Sequence, residues 1–197
     1  MRSAIIVSAS SDIGVAVSAR WIEKGWNVFG TYRSPSEKIN ALRRRGVEFF
    51  EMDLVDAESV RKACSKLRSA CPQWDVLVLA AGSQEPVGAF AETDFVEWER
   101  SVSVNFMSQM RVIRELVASR RVQQGLSPCV LLFAAGGTNS ATRNYSAYTV
   151  SKIALIKMCE LLDAEIPDTR FVILGPGWVK TKIHQATLQA GDRAGEN

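Results

Sequence analysis

Short apolar runs alternate along the chain with segments in which apolar residues recur at helical spacing. Runs of this length, bounded by Gly, Pro or polar residues, are typical of buried strands. The predicted strands cover residues 4–8, 27–32, 47–53, 75–82, 129–135 and 170–175. The predicted helices lie between them: one that ends at Lys24, then 36–45, 57–70, 93–122 and 146–163. The alternation predicts an α/β fold with a parallel sheet of about six strands.

This pattern predicts one Rossmann-type domain over residues 1–189, a doubly wound sheet with helices on both faces. The chain of 197 residues, 47% hydrophobic and 23% charged, has the composition and length of a single globular domain. The last residues, 190–197, are small and polar, and the prediction for them is a disordered tail.

Composition excludes several classes of function. The formal charge of +3 and a longest basic run of three residues, Arg43–Arg45, argue against a nucleic-acid-binding protein. No segment has the roughly 20 apolar residues of a membrane span. The four cysteines form no CxxC pair, which favours free thiols in a reducing compartment and predicts no metal site. The expected location is the cytoplasm.

The first strand-to-helix turn reads SASSDIG (8–14). In a doubly wound sheet, ligands bind outside the carboxyl ends of the strands, and backbone N–H groups at a helix N-terminus favour a phosphate there. The alternative interpretation is an ordinary tight turn in which Asp12 lies near a helix cap.

A second pattern is YTVSK (148–152), which places Tyr148 and Lys152 one helical turn apart on the same face. A lysine ammonium beside a phenol favours the phenolate, so this tyrosine is a candidate for proton exchange with a substrate.

These motifs, taken in order from residue 5 to about residue 181, resemble the short-chain dehydrogenase/reductase family. The family's TGxxxGxG turn falls on residues 7–14, where Gly14 is retained and Ser8 and Asp12 stand at positions usually held by glycine. The resemblance implies a nicotinamide dinucleotide cofactor. Its predicted contacts in this turn are Ser8, Ser10, Ser11, Asp12, Ile13 and Gly14.

The end of the second strand decides the expected cofactor. Members of the family that prefer NAD carry an acidic residue there, whereas this chain has Thr31, Tyr32 and Arg33. A guanidinium suits a 2′-phosphate, so the prediction is NADP, with NAD less favoured. The alternative is that Arg33 is simply a surface residue.

The resemblance also implies roles for residues at the ends of later strands. Tyr148 is expected to give a proton to a carbonyl oxygen, Lys152 to lower the pKa of that tyrosine and hold the nicotinamide ribose, and Asn105 to link a proton relay to solvent. The remaining expected cofactor contacts are Asp53, Leu54, Ala81, Gly82, Pro176, Gly177, Val179 and Thr181.

The sequence departs from the family at the residue that usually holds the substrate oxygen. A serine is expected about thirteen residues before the tyrosine, and this chain has Ala135 there, preceded by Ala134. The hypothesis is that Thr138 replaces the missing hydroxyl after two glycines. Asn139, Ser140 or the substrate itself are alternatives, as is a loop with no such role.

A second departure lies at the carboxyl end. The chain continues for about twenty residues after Gly177, where the family usually has a lid, a seventh strand and its helix. We therefore expect the sixth strand at the sheet edge, and a short helix over 180–190 as a partial lid. His184, within that segment, is expected to face solvent rather than act as a base.

Two functions follow from these observations. The first is an NADP-dependent oxidoreductase that acts on a small carbonyl or alcohol substrate. The alternative is a catalytically impaired nucleotide-binding relative that serves as a subunit or regulator, in line with Ser8 and Ala135. The resemblance also implies a homodimer or homotetramer, paired through the helices predicted at 93–122 and 146–163.

Overall fold

The computed structural model describes residues 1–177, 179 and 181–194. It contains one six-stranded sheet, in which every pairing is parallel and the strand order is β3-β2-β1-β4-β5-β6. The strands are β1 (Ser3–Val7), β2 (Asn27–Tyr32), β3 (Glu48–Glu51), β4 (Val76–Leu79), β5 (Cys129–Phe133) and β6 (Arg170–Leu174). The predicted doubly wound Rossmann-type sheet is confirmed, and β6 lies at its edge as expected.

Seven α-helices accompany the sheet in the described part of the chain. They are α1 (Asp12–Glu23), α2 (Glu37–Arg44), α3 (Ala57–Ala70), α4 (Phe95–Val102), α5 (Ser108–Leu116), α6 (Ser146–Glu165) and α7 (Gln185–Ala190). Side-chain caps fix several of their starts. The predicted cap Asp56 accepts a hydrogen bond from the N–H of Glu58, and Asp94 caps α4 in the same way.

The core lies on both faces of the sheet. Along β1, Ile5 and Val7 belong to the apolar cluster under α3, α5 and α6, whereas Ile6 belongs to the cluster on the opposite face. Leu77 and Val78 of β4 divide between the two clusters in the same way. This period of two explains the nearly continuous apolar runs in the sequence, because each face of a central parallel strand is covered by helices.

All four cysteines are free thiols, as predicted. Burial raises the pKa of Cys64 to about 12 and that of Cys71 to about 11, so both thiols stay protonated at neutral pH. In the described residues, no helix combines the length and apolar character needed to cross a bilayer.

The helix predicted over 93–122 is interrupted. Residues 103–107 form a π-helical turn between α4 and α5, and the helical path ends with a 3₁₀ turn at Val117–Ser119. The side-chain amide of Asn105 donates hydrogen bonds to the carbonyl oxygens of Ser101 and Ser83. These bonds accompany the widened turn, and helical spacing alone did not reveal it.

Two predicted ends also differ from the structure. The first strand stops at Val7 because Ser8 turns into the left-handed region, with φ 58°. In the segment predicted as a disordered tail, α7 ends at Ala190, residues 191–194 form a 3₁₀ turn, and Ala194 is buried. Residues 195–197 lie outside the described residues.

Candidate active site

A cleft of about 870 Å³ opens at the carboxyl edge of the sheet. The turn after β1, the ends of β2 to β5, the start of α6 and the segment after β6 form its walls. Of the predicted site residues, all except Gly14, Asn105 and Thr138 line this cleft. The fold therefore brings together residues that are up to about 170 positions apart in the sequence.

The turn after β1 delivers the N-terminus of α1 to the cleft. The backbone N–H of Ser8 donates to Thr31 Oγ1 at 3.0 Å, and the N–H of Ser11 donates to the Ser8 carbonyl at 2.9 Å. The Ser11 hydroxyl oxygen then accepts the N–H of Gly14 at 3.0 Å and caps the helix. The N-terminus of α1, with the positive end of its helix dipole at the cleft, suits a phosphate there.

Gly14 is buried beneath this turn and does not line the cleft. A Cβ added there would lie 2.7 Å from both Ala9 Cα and the Ser8 carbonyl oxygen. Only a glycine allows α1 to pack this closely against the turn, which is the physical reason for the one glycine of the motif that this chain keeps.

Asp12 joins the first turn to α2 and to the segment after β6. Its carboxylate pairs with Lys38 Nζ of α2 at 2.7 Å and accepts the backbone N–H of Lys182 at 2.8 Å. The hydrogen bond from Lys38, followed by that from the Lys182 backbone, lowers the pKa of Asp12. The residue that replaces a motif glycine thus holds the segment after β6 against the first turn.

Arg33 lies exposed at the end of β2 and lines the cleft, whereas Thr31 is buried. Asp53, after β3, also lines the cleft, and its carboxylate accepts the backbone N–H of Val55 at 3.0 Å. The helix N-terminus and the guanidinium at one wall of the cleft both fit a dinucleotide. The turn would hold its pyrophosphate and the end of β2 its adenosine ribose.

Tyr148 and Lys152 lie together at the start of α6, as predicted. Lys152 is buried, with Nζ donating to the Phe133 carbonyl at 3.0 Å and lying 5.5 Å from the centroid of the Tyr148 ring. Burial lowers the pKa of Lys152 to about 8 and raises the pKa of Tyr148. The expected lowering of the tyrosine pKa by the lysine is therefore not found; burial dominates, and it favours the neutral form of each group.

Asn105 is not among the described residues that line the cleft, and its predicted part in a proton relay stays a prediction. Its side chain is fully buried, donates to the Ser83 carbonyl at 2.8 Å and accepts the Ser83 N–H at 3.0 Å. A Cβ on Gly82 would lie 3.5 Å from Asn105 Oδ1 and 3.8 Å from Lys152 Nζ. Asn105 therefore lies behind Gly82 and holds the loop after β4 beside the lysine.

Thr138 is not among the described residues that line the cleft. Its hydroxyl donates to the Ala135 carbonyl at 3.2 Å, which closes the 3₁₀ turn at Gly136–Asn139. The two alanines in the region of the missing serine, Ala134 and Ala135, do line the cleft. In this geometry the Thr138 hydroxyl bonds within its own turn, and the hypothesis that it supplies the missing hydroxyl stays a prediction.

The segment after β6 covers part of the cleft, as predicted. A 3₁₀ turn at Lys182–His184 leads into α7, and both line the cleft. His184 is half-buried rather than solvent-facing, with Nε2 at 3.1 Å from the Val179 carbonyl oxygen. We call residues 181–194 the lid.

Sequence reasoning missed the hydrogen bonds that hold the lid. The Tyr145 hydroxyl donates to Thr187 Oγ1 at 3.0 Å, and the Thr187 hydroxyl donates to Gln84 Oε1 at 2.9 Å. The spacing of three between Tyr145 and Tyr148 was a usable signal, since it places both on one side of α6. No sequence pattern indicated Thr187, because its hydrogen-bond partners are 42 and 103 residues away along the chain.

The fold and the cleft define a dinucleotide-binding α/β protein with a tyrosine–lysine pair. The sequence model of the short chain dehydrogenase family matches residues 2–191, and the chain belongs to that family of oxidoreductases. Its sheet, its turn at 8–14 and its YxxxK pair are the features on which the sequence resemblance rested.

Individual relatives agree with this assignment. Benzil reductase ((S)-benzoin forming) of Saccharomyces cerevisiae is 29% identical over 195 residues, covering 92% of this chain and 73% of that protein. The 2,3-dihydro-2,3-dihydroxybenzoate dehydrogenase of Escherichia coli is 25% identical over 193 residues, covering 97% and 74%. The fold matches that of an actinorhodin polyketide ketoreductase with NADPH, at a TM-score of 0.87 and 22% identity, over 100% of this chain and 77% of that one.

Proposed function

We propose that this protein is an NADP-dependent oxidoreductase that transfers a hydride between nicotinamide and a small carbonyl or alcohol substrate. One observation carries the proposal: the Tyr148–Lys152 pair lies in the same cleft as the helix N-terminus at 8–14. A proton donor and a phosphate site in one cleft provide the two functions that such a reaction needs. The non-catalytic alternative is not favoured, because the relatives named above are reductases and dehydrogenases.

The preference for NADP rests on Arg33. Its side chain is exposed at the cleft wall where the adenosine ribose would lie, and residues 31–33 hold no carboxylate that would favour a free 2′-hydroxyl. A guanidinium can donate two parallel hydrogen bonds to a phosphate. The fold neighbour whose structure contains NADPH supports the same cofactor.

In the reduction, Tyr148 acts as the general acid. The nicotinamide, when bound, supplies the hydride that reaches the carbonyl carbon. The tyrosine hydroxyl gives its proton to the carbonyl oxygen, and the alcohol forms. Because burial raises the pKa of Tyr148, the phenol carries this proton at neutral pH. Lys152 holds α6 to the end of β5 through the Phe133 carbonyl and places its Nζ beside the phenol.

Titration with NADPH and NADH, followed by nicotinamide fluorescence, tests the cofactor. Arg33→Ala is expected to weaken NADPH binding by about 10- to 100-fold, the effect of losing a charge-assisted pair, and to leave NADH binding unchanged. Arg20→Ala, which removes an exposed guanidinium of α1, is the matched control. Equal affinities for NADPH and NADH in the unmodified protein would contradict the preference.

Turnover of benzil and of ethyl acetoacetate with NADPH tests the chemistry. Tyr148→Phe is expected to lower kcat by at least about 100-fold, because the proton donor is lost while the ring and its packing remain. The Kd for NADPH should stay within about threefold of the original value. Unchanged turnover in this variant would exclude Tyr148 as the acid.

We also propose that two copies pair through α4 and α6. Three large apolar side chains of α6, Val150, Ile153 and Leu161, are 48%, 45% and 45% exposed and lie on one face of the helix. Val96 of α4 is 70% exposed, and α4 packs beside α6. Leu155, in contrast, is fully buried in the core. The cytoplasmic location stays a prediction from the sequence.

A further inference from the structure

The cleft lacks a hydroxyl at the position where the sequence has Ala134 and Ala135. Both alanines line the cleft next to the tyrosine–lysine pair, and neither side chain can donate a hydrogen bond. A carbonyl oxygen that receives a proton from Tyr148 gains from a second donor that holds it in place. Other hydroxyls lie around this part of the cleft.

Several of these hydroxyls are already used. Thr138 donates to the Ala135 carbonyl, and Tyr145 donates to Thr187 in the lid. Ser140 lines the cleft but is exposed. Thr142 also lines the cleft, is half-buried, and was not singled out by the sequence.

Thr142 packs directly against the chain that leaves β5. A Cβ added to Gly137 would overlap the Thr142 hydroxyl oxygen and lie 3.2 Å from Thr142 Cβ. Gly137 is two residues beyond Ala135, so the Thr142 hydroxyl lies against the loop that follows Ala135, in the same cleft as Tyr148. The absence of a side chain at Gly137 makes room for it.

The Thr142 hydroxyl also has hydrogen-bonding capacity to spare. Among the described residues, its hydrogen-bond contact is with Ser140 Oγ at 3.4 Å, which is long for a bond between two hydroxyls. The backbone N–H of Thr142 donates to the Ser140 carbonyl at 3.0 Å and fixes the loop around it. A hydroxyl with one weak partner on a fixed loop can donate to a ligand at little cost.

We propose that Thr142 is the substrate-contacting hydroxyl of this enzyme and takes over the role of the serine replaced by Ala135. Its hydroxyl donates a hydrogen bond to the carbonyl oxygen of the substrate while Tyr148 transfers the proton. Gly137 is the positioning residue that admits it. This inference rests on the proposed function, because it assigns a second donor to the same reaction.

The test compares single and double variants with NADPH and the carbonyl probes benzil and ethyl acetoacetate. Thr142→Val keeps the shape of the side chain and is expected to lower kcat/KM by about 10²–10³-fold, the usual loss for one such donor. Thr142→Ser should retain most of the activity. Thr138→Val should stay within about threefold of the original kcat/KM, since the hydroxyl that it removes bonds the Ala135 carbonyl and not the substrate.

Restoring the serine gives the discriminating result. In the Thr142→Val background, Ala135→Ser is expected to raise kcat/KM by at least about tenfold. In the otherwise unmodified enzyme, the same substitution should change kcat/KM by less than about threefold. The Kd for NADPH and the far-ultraviolet circular dichroism of each variant report folding and cofactor binding separately from chemistry.

Three results would overturn the inference. The first is a Thr142→Val enzyme that keeps its kcat/KM, and the second is a comparable loss in Thr138→Val. The third is an Ala135→Ser gain of equal size with and without the Thr142 hydroxyl. Failure of the proposed function gives a different result from these three. The unmodified protein would then bind NADPH but reduce neither probe. In that case the inference about Thr142 would be wrong as well.

Discussion

Ser8 adopts a left-handed backbone conformation at the turn that faces the cleft, with φ 58°. An L-residue with a Cβ loses about 1–2 kcal/mol in this region, whereas glycine does not. Ser8→Gly is therefore expected to raise the free energy of unfolding in urea by about 1 kcal/mol, once the greater freedom of glycine in the unfolded chain is subtracted.

Ser10→Gly is the matched control for this prediction. Ser10 lies in the same turn and is not among the described residues with positive φ, so glycine there should give no gain. Equal stabilisation by both variants would show that strain at Ser8 is not the cause. NADPH binding should be as tight or tighter in Ser8→Gly, because no side chain then stands beside the approaching phosphates.

Lys152 makes the stability of the fold depend on pH. Burial lowers its pKa from 10.5 to about 8. Between these values the unfolded chain binds more protons on this residue than the folded chain does, so stability rises as the pH rises through this window. Below about pH 8 both states are protonated, and the full cost of burying the ammonium is present.

Lys152→Met removes this dependence. From pH 8 to pH 10, the free energy of unfolding of the unmodified protein should rise by about 2 kcal/mol relative to that of the variant. The raised pKa values of the cysteines make stability fall as the pH rises, which opposes the effect of Lys152. This contribution is the same in both proteins and cancels in the difference between them. Parallel pH curves in urea unfolding would contradict the assignment of a buried, depressed lysine.

At the scale of elements, the lid is held by hydrogen bonds near its start and near its middle. Near the start of the lid, Asp12 accepts a hydrogen bond from the N–H of Lys182. Within α7, the Thr187 hydroxyl is hydrogen-bonded to both Tyr145 and Gln84. The α7 helix also contacts the 3₁₀ turns on either side of it. We infer that these few hydrogen bonds keep the lid over the cleft.

Thr187→Val keeps the shape of the side chain but removes both hydrogen bonds of the bridge. The amides of residues 182–190 should then exchange with deuterium about tenfold faster, as expected for the loss of roughly 1–2 kcal/mol of local stability. Leu188→Ala is the control, because Leu188 is 79% exposed and its loss should leave exchange unchanged. Equal acceleration by both variants would exclude the bridge as the cause.

At the scale of the whole molecule, the exposed apolar stripe of α6 predicts a dimer. Ile153→Glu places a charge in the proposed contact and should shift sedimentation at micromolar concentration from dimer to monomer. Val122→Glu alters an apolar residue that is 54% exposed and lies outside α4 and α6, so it should leave the dimer intact. A monomeric unmodified protein would contradict the proposal.

The sequence by itself determined the sheet and the main parts of the cleft. Apolar runs such as DVLVLAAG can be read because a central parallel strand buries both faces, as Leu77 and Val78 do. The sequence identifies Tyr148 and Lys152 because a spacing of four places them on one face of a helix. It identifies Gly14 because this residue lies at a fixed position in the turn after the first strand. In these cases the position of each residue depends on its near neighbours in the chain, so the sequence pattern is enough to predict it.

Only the tertiary structure decided which side chains complete the cleft. Thr138 and Thr142 both lie in the loop after β5, but their hydroxyls have different surroundings. The Thr138 hydroxyl bonds the Ala135 carbonyl, whereas the Thr142 hydroxyl lies against Gly137, which has no side chain. Asn105 was found by its motif, but its partners Ser83 and Ser101 bury it behind Gly82. The bond between Thr187 and Gln84 joins residues 103 positions apart. Such pairings depend on how elements pack in space, and no periodicity in the chain records them.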